Sequence, residues 1–481
     1  MAQKLPNELL TEIIGLLDGA DIKNVRLTSR ALDKVAAPFL FQRLWISSHP
    51  LDLEVFSLVT RNSLLRKGVK ELVWGDTTFC EYLTERDIYF RLSEEGTSVW
   101  GGTTQGAASE QGYKFFVKAC RAHHDIRISR LDETTLNNAL PLLTSLETVI
   151  LTNRSMQRNQ DDAIKPVYHV EVGDSPTVRQ SLRLPWINGC RCPETMPFTP
   201  YVNWSMADEE GDNVLLNDNE LDESLDIDYH NGEWDEDWAT FPLVTRVTRP
   251  FRGLAIVMAA LAQSGKQIQN FVFKPQYNGS SYASFDAGIS HWYFRKWHAG
   301  LDAVSFVFRS LKRLDLKVVA ESMENGNITA QQGHLRSLLI EAPALEMLAL
   351  ELDGMPVMEV LDSNTLHPSL TSLRLTCGRV DIMKLFRFLR LHSEVLQSVE
   401  LSYCSSATVS WSELFWGMRV ERLCFKRIWV YEVFEPKGML GWWYGTSQRK
   451  MEDFLLCDGP YPLEYDQGLQ GTPLPRLVQT L

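Results

Sequence analysis

The sequence predicts a mixed α/β (α+β) chain: a short all-helical start followed by an irregular array of short strands and return segments. Three observations lead there. Apolar residues recur every three or four positions through the first 46 residues. A Leu-x-x-Leu-x-Leu spacing returns about every 25 residues in the C-terminal half, and one dense acidic block interrupts the stretch between. At 481 residues the chain exceeds one ordinary core, so about two to four domains or one elongated array are expected. Its 44% apolar and 10% aromatic fractions are those of a globular protein.

From Lys4 the chain reads KLPNELLTEIIGLLDGADIKNVRLTSRALDKVAAPFLFQRLWI. Pro6 suits the first turn of a helix, where its missing N–H would be unpaired anyway. Leu9, Leu10, Ile13, Leu16 and Leu17 then fall on one helical face. Asp21 can cap a second helix carrying Ile22, Val25 and Leu27. Ser29 can cap a third carrying Ala31, Leu32, Val35 and Ala36, which must stop before Pro38. Three helices in about 40 residues have too little core to close on themselves. Apolar surface is therefore expected to remain for a partner or for the rest of the chain.

These residues resemble the F-box, whose pattern opens Leu-Pro-x-Glu-Leu, continues with Ile and Leu at helical spacing, and runs on to Arg-Leu-x-Ser-Arg and Ala-x-Pro-x-Leu. The continuation SRALDKVAAPFLFQRLWI resembles the fungal branch of that family. The resemblance implies docking on a Skp-type adaptor and, through it, on a cullin-based ubiquitin ligase. Matched position by position, Leu5, Pro6, Leu9, Leu10, Ile13, Leu16, Ile22 and Leu27 are the implied adaptor contacts. The match covers under a tenth of the chain, and the other reading of these helices is an amphipathic cap on a larger domain.

The repeat is clearest at Leu311, Leu314 and Leu316; at Leu345, Leu348 and Leu350; at Leu370, Leu373 and Leu375; and at Leu396, Val399 and Leu401. A fifth copy is read at Val420, Leu423 and Phe425, giving central steps of 25, 26 and 24 residues from Leu348 onward. That period is within the range of a leucine-rich repeat: a short strand with inward apolar side chains, then a return that stacks the next strand beside it. Ile382 to Leu389 reads as one helical return. Fainter copies sit at Val69, Leu72 and Trp74, at Leu146, Val149 and Leu151, and at Ile268, Phe271 and Phe273. Their spacing is irregular, and only Cys377 and Cys404 fall near the usual polar position after the strand. The expected architecture is thus an irregular leucine-rich-repeat-like solenoid, an arrangement common among the F-box proteins this chain resembles.

From Ser205 to Thr245 there are fourteen Asp and Glu and no Lys or Arg, so the rest of the chain is near neutral despite a net charge of −13. A block of this kind repels itself and buries little, and a disordered insertion is expected. Trp234 and Trp238 give it the character of a segment able to dock on a basic surface. Calcium-loop spacing is lacking. Cys190 and Cys192 form the one closely spaced cysteine pair, without the second pair a structural zinc site needs. His123-His124 has no metalloprotease context, the His291 to His298 run reads as a packed aromatic segment, and no Gly-x-Ser-x-Gly or phosphate-cradling loop occurs. No catalytic residue, cofactor or metal is assigned. The charge balance speaks against a nucleic-acid footprint. The longest apolar run, Leu254 to Ala262, is far short of a membrane span. With no signal-peptide pattern at the start, a cytoplasmic or nuclear chain is expected.

The expected organisation is helices at 1–46, an early irregular repeat region at 47–204, the acidic insertion at 205–245, the main array at 246–430, and an aromatic cap and tail at 431–481. Trp429, Tyr431, Trp442, Trp443 and Tyr444 are candidates either for capping the array's open end or for partner binding. Together these readings imply a non-catalytic subunit that holds an unknown target protein for a ligase. The alternative is an adaptor-bound scaffold that does not direct ubiquitination. The two are separated by whether bound partners change in abundance when the protein is removed.

Overall fold

The computed structural model describes residues 5–17, 19–75, 86, 110–152, 252–274, 289–294, 299–320, 323–353, 355–406, 409–423, 425–431, 433–434 and 453–455. The acidic block, Cys190, Cys192, Trp442, Trp443 and Tyr444 lie outside these residues. The fold is mixed α/β, as expected, and its strands pair in parallel. Its described residues form two compact units, the first ending at Lys266 and the second starting at Gln267.

The first unit opens with α1 (Asn7–Gly15), α2 (Gly19–Thr28) and α3 (Arg30–Ala36). Pro6 is the residue before α1 rather than in its first turn, and Asp21 lies inside α2, which starts three residues earlier than a cap at Asp21 implies. Ser29 does cap α3, its hydroxyl accepting the Leu32 N–H at 3.2 Å. Next come β1 (Arg43–Ser47), α4 (Pro50–Arg61), β2 (Glu71–Gly75), α5 (Glu110–Ile128), α6 (Leu131–Ala139), β3 (Thr148–Thr152) and α7 (Arg252–Gln263). Leu44 and Ile46 therefore belong to a strand rather than to the helical segment. They pair in register with Leu72 and Trp74, and these with Val149 and Leu151.

Two close contacts hold the first unit together. A Cβ on Gly68 would stand 1.6 Å from the Pro38 carbonyl oxygen, so only glycine lets the turn before β2 lie against the end of the three helices. Asp132, fully buried on α6, receives both guanidinium nitrogens of Arg252 at 2.7 and 2.8 Å and the Ser48 hydroxyl at 2.7 Å. Burial alone would raise the Asp132 pKa; these bonds overcome it and hold the carboxyl below its ordinary range. The pair ties α7, 120 residues downstream, to α6. That is why α7 belongs to the first unit, although the array was expected to start at residue 246.

The second unit contains β4 (Asn270–Lys274), β5 (Ile289–Ser290), α8 (Ala299–Phe308), β6 (Arg313–Val319), α9 (Met323–Gln332), α10 (Leu335–Ile340), β7 (Met347–Asp353) and α11 (Val357–Val360). It continues with β8 (Ser372–Thr376), β9 (Arg379–Val380), α12 (Ile382–Leu391), β10 (Ser398–Ser402), β11 (Ser405–Ser406), α13 (Trp411–Val420) and β12 (Arg427–Tyr431). Strands β4, β6, β7, β8, β10 and β12 lie side by side in chain order, with Leu314, Leu348, Leu373, Val399 and Ile428 in one row. All five are buried.

The fifth repeat is shifted from its expected place. Val420 ends α13 and is half-exposed, whereas Phe425, Ile428 and Val430 fill the Leu-x-x-Leu-x-Leu positions. The step from Val399 is thus 29 residues, not 24, because α13 takes up the apparent motif. Consecutive copies share more than the strand. At the starts of β7, β8 and β10 two successive N–H groups converge on one carbonyl of the coil before: those of Glu346 and Met347 on Lys312, of Thr371 and Ser372 on Glu346, and of Gln397 and Ser398 on Thr371. At each far end a left-handed residue, Cys377 (φ 57°) or Tyr403 (φ 54°), turns the chain into the short parallel pair β9 and β11. Asp381 and Ser410 then cap the returns α12 and α13. Among the described residues no helix is long and apolar enough to cross a membrane.

Candidate functional site

The N-terminal helices present two apolar stripes where one was expected. Ile14 of α1, Ile22 of α2 and Ala36 of α3 form their small core, with Leu17, Val25, Leu32, Val35, Phe39 and Leu40 packed around it. On the other side of α1, Leu9 and Ile13 are about half exposed, continuing N-terminally to Leu5, while Leu16 is 88% exposed. Leu27 at the end of α2 is 86% exposed. Positions 5, 9, 13 and 16 follow helical spacing and make one stripe; Ile14 and Leu17 belong to the inward arc, and Leu10 is intermediate.

Of the eight implied adaptor contacts, Leu5, Pro6, Leu9, Ile13, Leu16 and Leu27 are therefore at the surface. Ile22 is a correction: its side chain is 6% exposed because the three helices have few other residues from which to build a core. Arg26 and Asp33, bonded at 2.6 Å, clamp α2 to α3 behind the stripe. Five large apolar side chains exposed on so small a segment are more than solitary surface leucines, which need no explanation.

A second surface lies on the sheet of the second unit. The positions between the buried leucines put Arg313, Asp315 and Lys317 of β6, Ala349 and Glu351 of β7, Arg374 of β8, Glu400 of β10, and Arg427, Trp429 and Tyr431 of β12 on one face. Asp315, Ala349, Arg374, Glu400 and Trp429 form a single row. Because Ala349 is small, the Arg374 guanidinium reaches across it to Asp315 at 2.8 Å. Burial works against the charge on Arg374, but Asp315, then Glu400 and Glu351, push its pKa up. Lys317, only 2% exposed, is bonded to Glu351 at 2.7 Å. The face is thus laced by ion pairs across β6, β7 and β8, unlike β2 and β3 of the first unit, where Val73 and Ile150 are buried on the corresponding side.

Trp429 and Tyr431 are half-buried on β12 itself, not beyond the last repeat, and Tyr403 meets Tyr431 edge-on at 5.3 Å. The ring seated on α13 is Phe454. It is fully buried against Trp416 at 5.1 Å, with the Arg419 guanidinium over both rings. Asp315, Arg374 and Glu400, the last x positions of the Leu-x-x-Leu-x-Leu motifs, and Glu351, the residue just after one, carry no signal of their own in the apolar spacing. Among the described residues no group of His, Cys, Asp and Glu is arranged to hold a metal ion. His291, within the packed aromatic run, is buried with Nδ1 2.7 Å from the Thr329 hydroxyl. The Cys404 thiol, enclosed by backbone carbonyls, is pushed by burial up to about 12. No protein-family model matches this chain, and no curated protein matches it.

Proposed function

We propose that this chain is the target-recognition subunit of a Skp–cullin–F-box type ubiquitin ligase. The N-terminal helices act as an F-box, docking on a Skp-type adaptor through Leu5, Leu9, Ile13, Leu16 and Leu27. The strands and returns of the second unit act as an irregular leucine-rich-repeat-like solenoid whose polar face holds a target protein. The chain makes and breaks no bond; it raises the effective concentration of a target lysine near the ubiquitin-charged enzyme.

The observation that carries the reading is the exposed stripe. The helices use Ile14, Ile22 and Ala36 for themselves and leave five larger side chains outside. Parallel coils of 25 to 34 residues, those into β7, β8 and β10 sharing one hydrogen-bond pattern, support the solenoid part. The test is co-purification of the tagged full chain with a Skp-type adaptor, wild type beside a Leu9→Lys, Ile13→Lys variant. Retention by wild type and loss by a folded variant is the expected result. Absence of retention by well-folded wild type overturns the ligase reading and reduces the helices to a cap.

A further inference from the structure

Two histidines are buried together where the coils of the second unit approach the sheet. His367 precedes β8 and His392 follows α12; they are 3% and 0% exposed, and their rings stack with centroids 6.0 Å apart. His392 Nε2 accepts the backbone N–H of His367 at 3.0 Å, and its Nδ1 faces the Phe388 carbonyl at 2.8 Å. A ring nitrogen that accepts from an N–H carries no proton, so these partners select the neutral Nδ1–H tautomer. The His367 ring donates in turn to the Ala342 carbonyl. One line of hydrogen bonds therefore joins the coils that lead into β7, β8 and β10, and it requires a neutral His392.

The charged groups on the surrounding elements are engaged elsewhere or exposed. Glu341 bonds Ser305 and Arg309, Glu346 bonds Lys312, Asp362 bonds Arg336, and Glu359 of α11 bonds Lys384 of α12. Arg387, Arg390 and Glu394 around His392, and Glu421 at the end of α13, are exposed; Glu413 is half-buried, and Arg419 stacks on Trp416 and Phe454. Among the described residues neither ring has a carboxylate partner to offset a positive charge. Burial holds both histidines below their ordinary range, with the His392 ring adding to this at His367.

We propose that the His367–His392 pair is an acid-labile seam in the second unit. Protonation of His392 at Nε2 sets a donor against the His367 N–H, and the coils leading into β7, β8 and β10 part while the first unit stays folded. In the opened chain each histidine takes up its proton near 6.5, and in the closed seam below that. The seam's contribution is therefore whole above about 6.5 and is lost as pH falls from there through the lower folded value. Each histidine can increase local opening by at most about tenfold per pH unit. Strands β7, β8 and β10 carry Glu351, Arg374 and Glu400, so the ion-laced face comes apart with the seam.

Hydrogen exchange read by mass spectrometry on the full chain at pH 7.5 and 5.5, corrected for intrinsic exchange, tests this. Opening of peptides from β7 to β10 is expected to rise about tenfold or more on acidification and to exceed any rise from β1 to β3, where one histidine, His49 after β1, is likewise held low by burial against the opposing pull of Asp52. In His392→Gln, whose amide can donate and accept but does not titrate, most of that rise should vanish. Protection that falls equally in both units, does not fall, or falls in His392→Gln as in wild type overturns the proposal. If His392→Gln is unfolded at pH 7.5, the wild-type contrast between units decides, with His367→Gln as the second variant.

Discussion

The exposed stripe on the N-terminal helices separates binding from folding within a few residues. Leu16 and Leu27 are 88% and 86% exposed in the free chain, so truncating them removes almost no internal packing. If an adaptor buries them, each Leu→Ala change forfeits the transfer of about three methylene-sized groups, at about 0.8 kcal/mol each, or about 2 kcal/mol per site. The double variant Leu16→Ala, Leu27→Ala should then bind a Skp-type adaptor weaker by at most about 4 kcal/mol, about a thousandfold in Kd. Ordering costs at the interface make a hundredfold loss a sound lower expectation. The assay is titration calorimetry of purified full chain with purified adaptor, beside a urea unfolding curve of each protein. The inward residues supply the contrast: Ile14→Ala and Ile22→Ala should loosen the helices themselves, costing about 2–5 kcal/mol of a local core with little to spare. A Kd within twofold of wild type for Leu16→Ala, Leu27→Ala, with the unfolding curve unchanged, would refute the assignment of this stripe to the adaptor.

Three further outcomes follow from the packing. Arg252→Ala leaves the fully buried Asp132 carboxylate without its guanidinium and should cost about 3–5 kcal/mol in urea unfolding of the first unit. Without Arg252, burial pushes the Asp132 pKa up, so that gap should be widest at high pH and shrink as pH falls first through the variant's raised value and then through the lowered wild-type value. Ala349→Leu should block the reach of Arg374 to Asp315. A double-mutant cycle with Asp315→Asn and Arg374→Gln would read this as a coupling of about 1–2 kcal/mol that drops to near zero when the cycle is repeated in the Ala349→Leu variant. Gly68→Ala should push the turn off Pro38, costing about 2 kcal/mol and speeding amide exchange across α1 to α3.

Much of this was legible residue by residue. Period-2 leucines announced β6, β7, β8 and β10 because each strand buries one face only, and Ser29 and Asp381 sit where capping chemistry places them. The failures share a cause: apolar spacing states that a residue can be buried, not which neighbour buries it. Helical spacing set Leu9, Leu10, Ile13, Leu16 and Leu17 on one face and passed over Ile14, yet it is Ile14 that joins Ile22 of α2 and Ala36 of α3 in the core. Val420, Leu423 and Phe425 carry strand spacing, but the first of them closes an amphipathic helix begun at Trp411, and the strand slides to Ile428 and Val430. Asp132 and Arg252 lie 120 residues apart, with no local pattern to pair them. The histidine seam was equally hidden, since it joins residues 25 positions apart through a backbone N–H that any residue would offer.

The two candidate surfaces differ in what they can discriminate. Leu5, Leu9, Ile13, Leu16 and Leu27 offer area and little direction, so they suit a partner that is always the same and whose affinity changes little with salt. The sheet face offers the reverse. Arg374 is already satisfied by Asp315, and Lys317 by Glu351, so a partner gains nothing by merely presenting opposite charge; it must exchange one ion pair for another of equal geometry. A mismatched partner strands a partly buried charge, which costs more than the right partner gains. Division of labour between a permissive apolar stripe and an exacting polar face is what a subunit that joins a fixed adaptor to a chosen target requires. If the proposed function holds, substitutions on α1 should change how tightly the chain is held, and substitutions in the Asp315–Arg374–Glu400 row should change what it holds.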